Sequence, residues 1–151
     1  MRFSGKSGPV GLLALCLCAA GPSGRAIDNP DAPDRVAAFA SRSAKFEQSI
    51  QDAPSGSLAR AYREYEDFLA RELAAAYATL SRQVGAKRRA DLAKAQQQWQ
   101  RYRDAEFRFI DENWTPEDFG TSYVISRGDY RTTVLKERIV QLLHYLKNYP
   151  E

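Results

Sequence analysis

The chain has 151 residues, which suits a single domain. Its formal net charge of +3 comes from Arg2, Lys6 and Arg25, because no acidic residue precedes residue 27 and 19 basic and 19 acidic residues follow it. This balance excludes the strongly basic surface that nucleic-acid-binding and anionic-membrane-binding proteins use, so neither is an expected partner.

Residues 1–26 have the layout of a secretory signal peptide. Basic Arg2 and Lys6 precede an apolar run over residues 10–20, and a Gly-Pro-Ser-Gly break comes before Ala26, where we predict cleavage. The run is shorter than the roughly 20 residues that span a bilayer, so an uncleaved anchor is the lesser alternative. We therefore expect a periplasmic or secreted protein without a stable membrane anchor.

Both cysteines, Cys16 and Cys18, lie inside this segment. Leu15 and Leu17 precede them, where a lipoprotein signal would need a small residue. The mature chain is thus predicted to have no disulfide and no thiol nucleophile, and its stability must come from packing.

After an extended leader at 27–33, apolar residues recur at spacings of three and four, which predicts helices over about 34–51, 57–84, 86–113 and 122–148. Pro and Gly residues at 52–56, Gly85 and a loop at 114–122 separate them, and Gly128 is a place where the last helix could loosen. The inward residues predicted for the first, second and fourth helices are Val36, Phe39, Phe46 and Ile50; Leu58, Tyr62, Tyr65, Leu69, Leu73, Tyr77, Leu80 and Val84; and Tyr130, Val134, Leu135, Ile139, Leu142, Leu143 and Leu146.

The third helix carries two patterns. Its predicted inward stripe is Leu92, Ala95, Trp99, Tyr102, Phe109 and Ile110, widened by Phe107. A second face repeats Lys87, Lys94, Arg101 and Arg108 at intervals of seven. Acidic residues nearby favour a salt-bridged, solvated surface for this face, with a basic recognition face as the alternative.

Long striped helices bury their apolar faces by packing together. We therefore predict an all-α fold, a small antiparallel bundle of about four helices over residues 34–149. The third helix is expected to be clamped between its neighbours.

The residues that catalytic chemistry needs are scarce. His144 is the only histidine and is expected at the surface or near a helix end, so a histidine-based metal cluster cannot form. No glycine-rich phosphate loop or nucleophile elbow is present. The pairs Asp111-Glu112 and Glu117-Asp118 leave a carboxylate-dependent glycoside hydrolase as a remote alternative. We expect no enzyme, no cofactor and no metal.

The most informative stretch is AQQQWQRYRDAEF at 95–107. On a helix, Gln96, Trp99, Arg103 and Glu106 form one polar-aromatic stripe, in which Arg103 can lie on the indole and bond Glu106. Such a stripe either fixes the register of the helices or forms part of a surface that binds a partner. The first role is favoured, because partly buried polar residues need hydrogen-bonding partners in any case.

This stretch resembles the central motif of the lysozyme inhibitor LprI-like family, A-Q-x-x-W-x-x-[FY]-R-D-A-E-C. The matching residues are Ala95, Gln96, Trp99, Tyr102, Arg103, Asp104, Ala105 and Glu106. Weaker matches are Leu73 with Tyr77, the turn Phe119-Gly120-Thr121-Ser122, and Arg138 in the closing helix, so the resemblance covers about 46–143. Phe107 and Gln51 stand where family members usually have cysteines, and Ala70 and Ala74 replace an aspartate and an asparagine.

The resemblance implies an exported binding protein of the bacterial envelope that inhibits lysozyme or another peptidoglycan-cleaving enzyme by steric occlusion. The loop residues expected to meet the basic surface of such a partner are Glu117, Asp118, Gly120 and Ser122. The alternative is a structural or stress-related periplasmic protein in which the motif residues only hold the bundle together.

Overall fold

The computed structural model describes residue 29 and residues 31–149. The predictions for the signal peptide and for most of the leader fall outside these residues. Four long helices form the domain, and the described residues contain no strand, which confirms the all-α prediction. The helices are α1 (Arg35–Gln51), α2 (Leu58–Gln83), α3 (Ala86–Asn113) and α5 (Tyr123–Leu146), with a one-turn helix α4 (Pro116–Phe119) before the last.

A side-chain cap begins α1, and short turns lead into α2 and α5. Asp34 accepts a hydrogen bond from the amide of Ala37 at 2.9 Å and so caps the start of α1. Single 3₁₀ turns at Ser55–Ser57 and Gly120–Ser122 lead into α2 and α5. The latter turn and α4 lie within the segment 114–122, which was predicted as a loop.

Helices α2 and α5 form the central pair, and α1 covers one side of it. The predicted stripes of these three helices mostly supply the core. Phe39, Leu69, Ile139 and Leu142 are its largest fully buried side chains. The remaining core residues of the three helices and of the α2–α3 turn are Tyr65, Phe68, Leu73, Ala76, Leu80, Val84, Leu135, Leu143 and Leu146.

Gly128 lies inside a continuous α5, so the predicted loosening there is wrong. The residue is buried against Tyr62 of α2, and a Cβ at this position would lie only 2.2 Å from Cδ1 of the tyrosine ring. Glycine is required here by the close approach of the two central helices and not by a helix break.

Helix α3 lies on the outside and packs mainly against α5, so it is not clamped between two neighbours as expected. Its buried residues are Gln96 and Ile110, whereas Tyr102 and Phe109 are each 53% exposed. The predicted inward stripe is correct for Ile110 and for Leu92, Trp99 and Phe107, which pack against the core, but wrong for Ala95, Tyr102 and Phe109, which are exposed. Tyr130 of α5, also predicted inward, is 47% exposed.

The basic face of α3 is solvated. Lys87, Lys94, Arg101 and Arg108 are exposed, and none of them forms an ion pair with any residue in the described part of the chain. The predicted salt bridges are absent from this face. His144 is exposed in the last turn of α5. No helix within residues 31–149 has the length and apolar character needed to cross a membrane.

Candidate functional sites

The centre of the sequence motif is a buried contact between α3 and α5. Arg138 is 7% exposed, and its Nε and Nη2 donate to Oε1 of Gln96 at 3.1 and 3.0 Å. Its Nη1 donates to Oε1 of Gln141 at 2.6 Å. Burial lowers the pKa of the Arg138 guanidinium. These contacts join the two helices and leave little of Gln96 or Arg138 for a partner.

Trp99 lies beside this contact and lies close to two guanidinium groups. The Cζ atoms of Arg103 and Arg138 are 5.5 and 5.8 Å from its ring centroid. Arg103 donates from Nε and Nη2 to Asp104 at 2.9 and 2.6 Å, so its partner is Asp104 and not the predicted Glu106. Of the remaining motif residues, Glu106 is partly buried and Tyr102 is exposed. The motif therefore divides into a buried part and a surface part.

The loop between α3 and α5 holds the four predicted partner-binding residues. Thr115 accepts from the amide of Asp118 at 3.3 Å and donates to its carboxylate at 3.0 Å, which caps α4. Gly120 has a φ of +54°, a backbone conformation that favours glycine. Ser122 donates to the carbonyl of Phe119 at 2.7 Å. Glu117 is exposed, so it is the carboxylate of this loop most available to a partner.

A group of three rings, which we call the aromatic cluster (Phe109, Trp114 and Tyr130), lies beside this loop. Phe109 and Tyr130 are exposed, and Trp114 is half-buried. The centroids of Trp114 and Tyr130 are 4.6 Å apart, and Phe109 meets Trp114 edge-on at 5.9 Å. Arg127 fixes the backbone that carries the cluster, because it donates to the carbonyl of Trp114 at 2.5 Å and to that of Asp111. This cluster was not predicted from the sequence, because Phe109 and Tyr130 were expected in the core.

A group of ion pairs centred on Arg131 joins α2, α3 and α5. Arg131 donates from Nε and Nη2 to Glu66 at 3.0 and 2.9 Å, and from Nη1 to Asp111 at 3.0 Å. Its guanidinium also lies 4.2 Å from the ring centroid of Phe107. The contacts with Glu66 and Asp111 raise the pKa of Arg131, the hydrogen bond to Glu66 being the largest cause. Asp111 is thus an ion-pair partner and not a free carboxylate.

A cavity of about 770 Å³ opens between the end of α1, the start of α2 and α5. Lys136 donates to Glu47 at 2.5 Å, and Tyr65 donates to the same carboxylate at 2.8 Å. On the other side, Tyr62 donates to Asp129 at 2.7 Å. The hydrogen bond from Lys136 is the main cause that lowers the pKa of Glu47. Burial opposes the charge of Lys136, but its contacts with Glu47 and Tyr65 raise its pKa overall. Tyr62 and Tyr65 were predicted as inward residues of α2, but the polar contacts of this lining with Glu47, Lys136 and Asp129 were not predicted.

Comparison with protein-family models gives one finding. The model described as Lysozyme inhibitor LprI matches residues 43–142, about two-thirds of the chain. The chain belongs to this family. The match runs from the middle of α1 into the last turns of α5, and it includes the motif, the loop and both central helices. Comparison with curated proteins and with solved structures gives no match.

The departures from the LprI-like motif occupy defined places. Phe107, at one cysteine position, packs against the core and under Arg131. Gln51, at the other, lines the large cavity. Ala70 and Ala74 line a groove of about 370 Å³ between α2 and α3, whose other wall includes Gln96 and Arg103 of the motif. The two alanine replacements thus make this groove less polar, beside the motif residues.

Proposed function

We propose that the protein is an exported inhibitor that binds a lysozyme-type, peptidoglycan-cleaving enzyme and blocks its substrate cleft by steric occlusion. The observation that carries this proposal is the match of the Lysozyme inhibitor LprI model to residues 43–142. The protein acts by binding and performs no catalysis itself.

The surface that best suits this role is the aromatic cluster together with Glu117 of the loop. Tryptophan and tyrosine are enriched among the few residues that contribute most to the energy of protein interfaces, because they bury a large area with little loss of side-chain freedom. The rings of Trp114 and Tyr130 already contact each other at 4.6 Å, so little further ordering is needed when a partner binds.

Charge supports the same surface. Glu117 and Asp118 stand in the first turn of α4, and Glu112 lies at the exposed end of α3. Lysozyme-type enzymes have basic surfaces, so an acidic rim around apolar rings would steer their approach and fix their orientation. The partner-binding residues are thus Glu117, Phe109, Trp114 and Tyr130, while Asp118, Gly120 and Ser122 shape the loop that presents them.

The test is an assay of lysozyme-catalysed lysis with increasing amounts of the chain from residue 27 onward. We expect wild-type protein to reduce the lytic rate, and Tyr130→Ala and Glu117→Lys to weaken the inhibition without lowering the melting temperature. Tyr145→Ala is the matched control, because Tyr145 is 44% exposed on the same helix but far from the loop in the sequence. No loss of lytic rate at large molar excess would reject the proposal.

A structural role in the envelope is the second candidate, and the buried contact between Arg138 and Gln96 favours it. In that case Trp99→Ala and Arg103→Ala would lower the melting temperature, and any partner binding would change only in proportion to stability. Loss of binding in Glu117→Lys at unchanged stability would exclude this candidate. A glycoside hydrolase is disfavoured because Asp111 is held in an ion pair with Arg131.

A further inference from the structure

We propose that the cavity between α1, α2 and α5 binds an organic cation, that is, an ammonium or guanidinium group on an apolar stem. The proposal concerns a different surface from the one proposed to bind lysozyme and does not depend on it.

The cavity has the size and walls of a ligand site. Its volume of about 770 Å³ lies in the range of roughly 300–1,000 Å³ that is usual for small-molecule sites. Ile50 of α1, Leu58 of α2 and Ile125 of α5 supply apolar surface on three sides. Ile125 is 43% exposed, which leaves apolar area that a ligand could cover.

The charges in the cavity favour a cation. Glu47 and Lys136 neutralise each other through a contact of 2.5 Å. Asp129 accepts a hydrogen bond from Tyr62, but it has no ion pair with any residue between 31 and 149. The lining thus has one carboxylate whose charge no basic side chain balances. Asp129 is exposed at the edge of this cavity, whose lining is partly apolar, and there it attracts a positive group more strongly than it would in open water.

Other classes of ligand fit less well. An anion would meet both Glu47 and Asp129, and the ammonium group of Lys136 is already engaged by Glu47. A sugar ring would need an exposed aromatic face, but Tyr62 and Tyr65 are only 5% and 2% exposed.

The spacing along α5 sets the orientation of the ligand. Ile125, Asp129 and Thr133 are four residues apart in turn, so they lie on one face of the helix. The cationic group would bind Asp129 and the hydroxyl of Thr133, and its stem would lie on Ile125 and Leu58. Lys136 is two turns beyond Asp129, about 10 Å along the axis, and Glu47 screens its charge.

The experiment is an NMR titration of the ¹⁵N-labelled chain from residue 27 onward with hexylammonium, and with hexan-1-ol as the neutral probe of equal length. We expect saturable shifts at the amides around the cavity with hexylammonium, and binding at least about 10-fold weaker with hexan-1-ol, since the alcohol can donate a hydrogen bond to Asp129 but has no positive charge to pair with it. Asp129→Asn should weaken hexylammonium binding by a similar factor, because asparagine keeps the shape and the acceptor for Tyr62 but not the charge.

Two further variants complete the test. Thr133→Phe should block the cavity and abolish binding, and it remains informative if Asp129→Asn alters local packing. Asp67→Asn removes one negative charge from an exposed position of α2 outside the cavity and should leave binding unchanged. The proposal is overturned if no saturable shifts occur at the cavity, if both probes bind equally, or if hexylammonium binds Asp129→Asn or Thr133→Phe as it binds wild type.

Discussion

Arg138 brings a full charge into the contact between α3 and α5, and its hydrogen-bond acceptors are amide oxygens and not carboxylates. Gln96 accepts two of its hydrogen bonds and Gln141 a third. A buried guanidinium without such acceptors would lose its hydration uncompensated. The arginine and glutamine of the motif are therefore energetically dependent on each other.

Replacing Gln96 by leucine should destabilise the protein by about 2–3 kcal/mol, because two donors of a buried charged group lose their acceptor. Urea denaturation measures this change. The double variant Gln96→Leu with Arg138→Met should recover most of the loss, since apolar residues can replace a buried polar pair at little cost. Gln98→Leu, at an exposed position of the same helix, is the control and should change stability by less than about 0.5 kcal/mol. An equal effect of Gln96→Leu and Gln98→Leu would contradict this account.

The motif residues were identifiable from the sequence, but their partners were not. Arg103 has carboxylates at positions 104 and 106, and helical spacing alone favoured Glu106, whereas the observed rotamer selects Asp104. The pairing of Arg138 with Gln96 joins residues 42 apart in the chain. It depends on how α3 docks on α5, which no local spacing encodes.

The helices themselves show where local patterns suffice. The boundaries of α2 and α3 agree with the prediction to within one residue, because a long apolar stripe and Gly85 mark them unambiguously. The inward face of α3 was predicted only in part. Trp99 and Phe107 pack against the core as expected, but Tyr102 is exposed and the polar Gln96 is buried. The aromatic cluster and the cavity could not be predicted, since both arise where separate helices meet.

Gly128→Ala tests the close approach of α2 and α5. Alanine favours a helix by about 1 kcal/mol over glycine, but the added methyl would overlap the ring of Tyr62. We expect a net destabilisation of about 1–3 kcal/mol, the usual cost of overpacking, measured by chemical denaturation. Gly85→Ala is the control, because a Cβ there meets nothing within 4 Å, and it should be near neutral. A stabilised Gly128→Ala would show that the two helices can separate at this point without cost.

The region that the family model matches and the hydrophobic core of the molecule do not coincide. Residues 43–142 contain all of α2 and α3 but omit the first half of α1 and the end of α5. The omitted parts hold Phe39, at 2% exposure, together with Leu143 and Leu146 of the core. Burying such a side chain contributes about 1.5–3 kcal/mol, so the three together contribute roughly 5–9 kcal/mol. This is comparable with the total stability of a typical domain, about 5–15 kcal/mol.

We therefore predict that a fragment of residues 43–142 lacks a cooperative thermal transition in circular dichroism, whereas a fragment of residues 34–149 unfolds at the same midpoint as the chain from residue 27. Asp34 belongs in the folded fragment because it caps α1. A fragment of residues 43–142 that melted cooperatively near the midpoint of the longer one would mean that α2, α3 and most of α5 form a core without Phe39, Leu143 and Leu146. Failure of both fragments to fold would place necessary contacts outside residues 34–149. The contrast between the two fragments thus separates the family's matched region from the physical unit that folds.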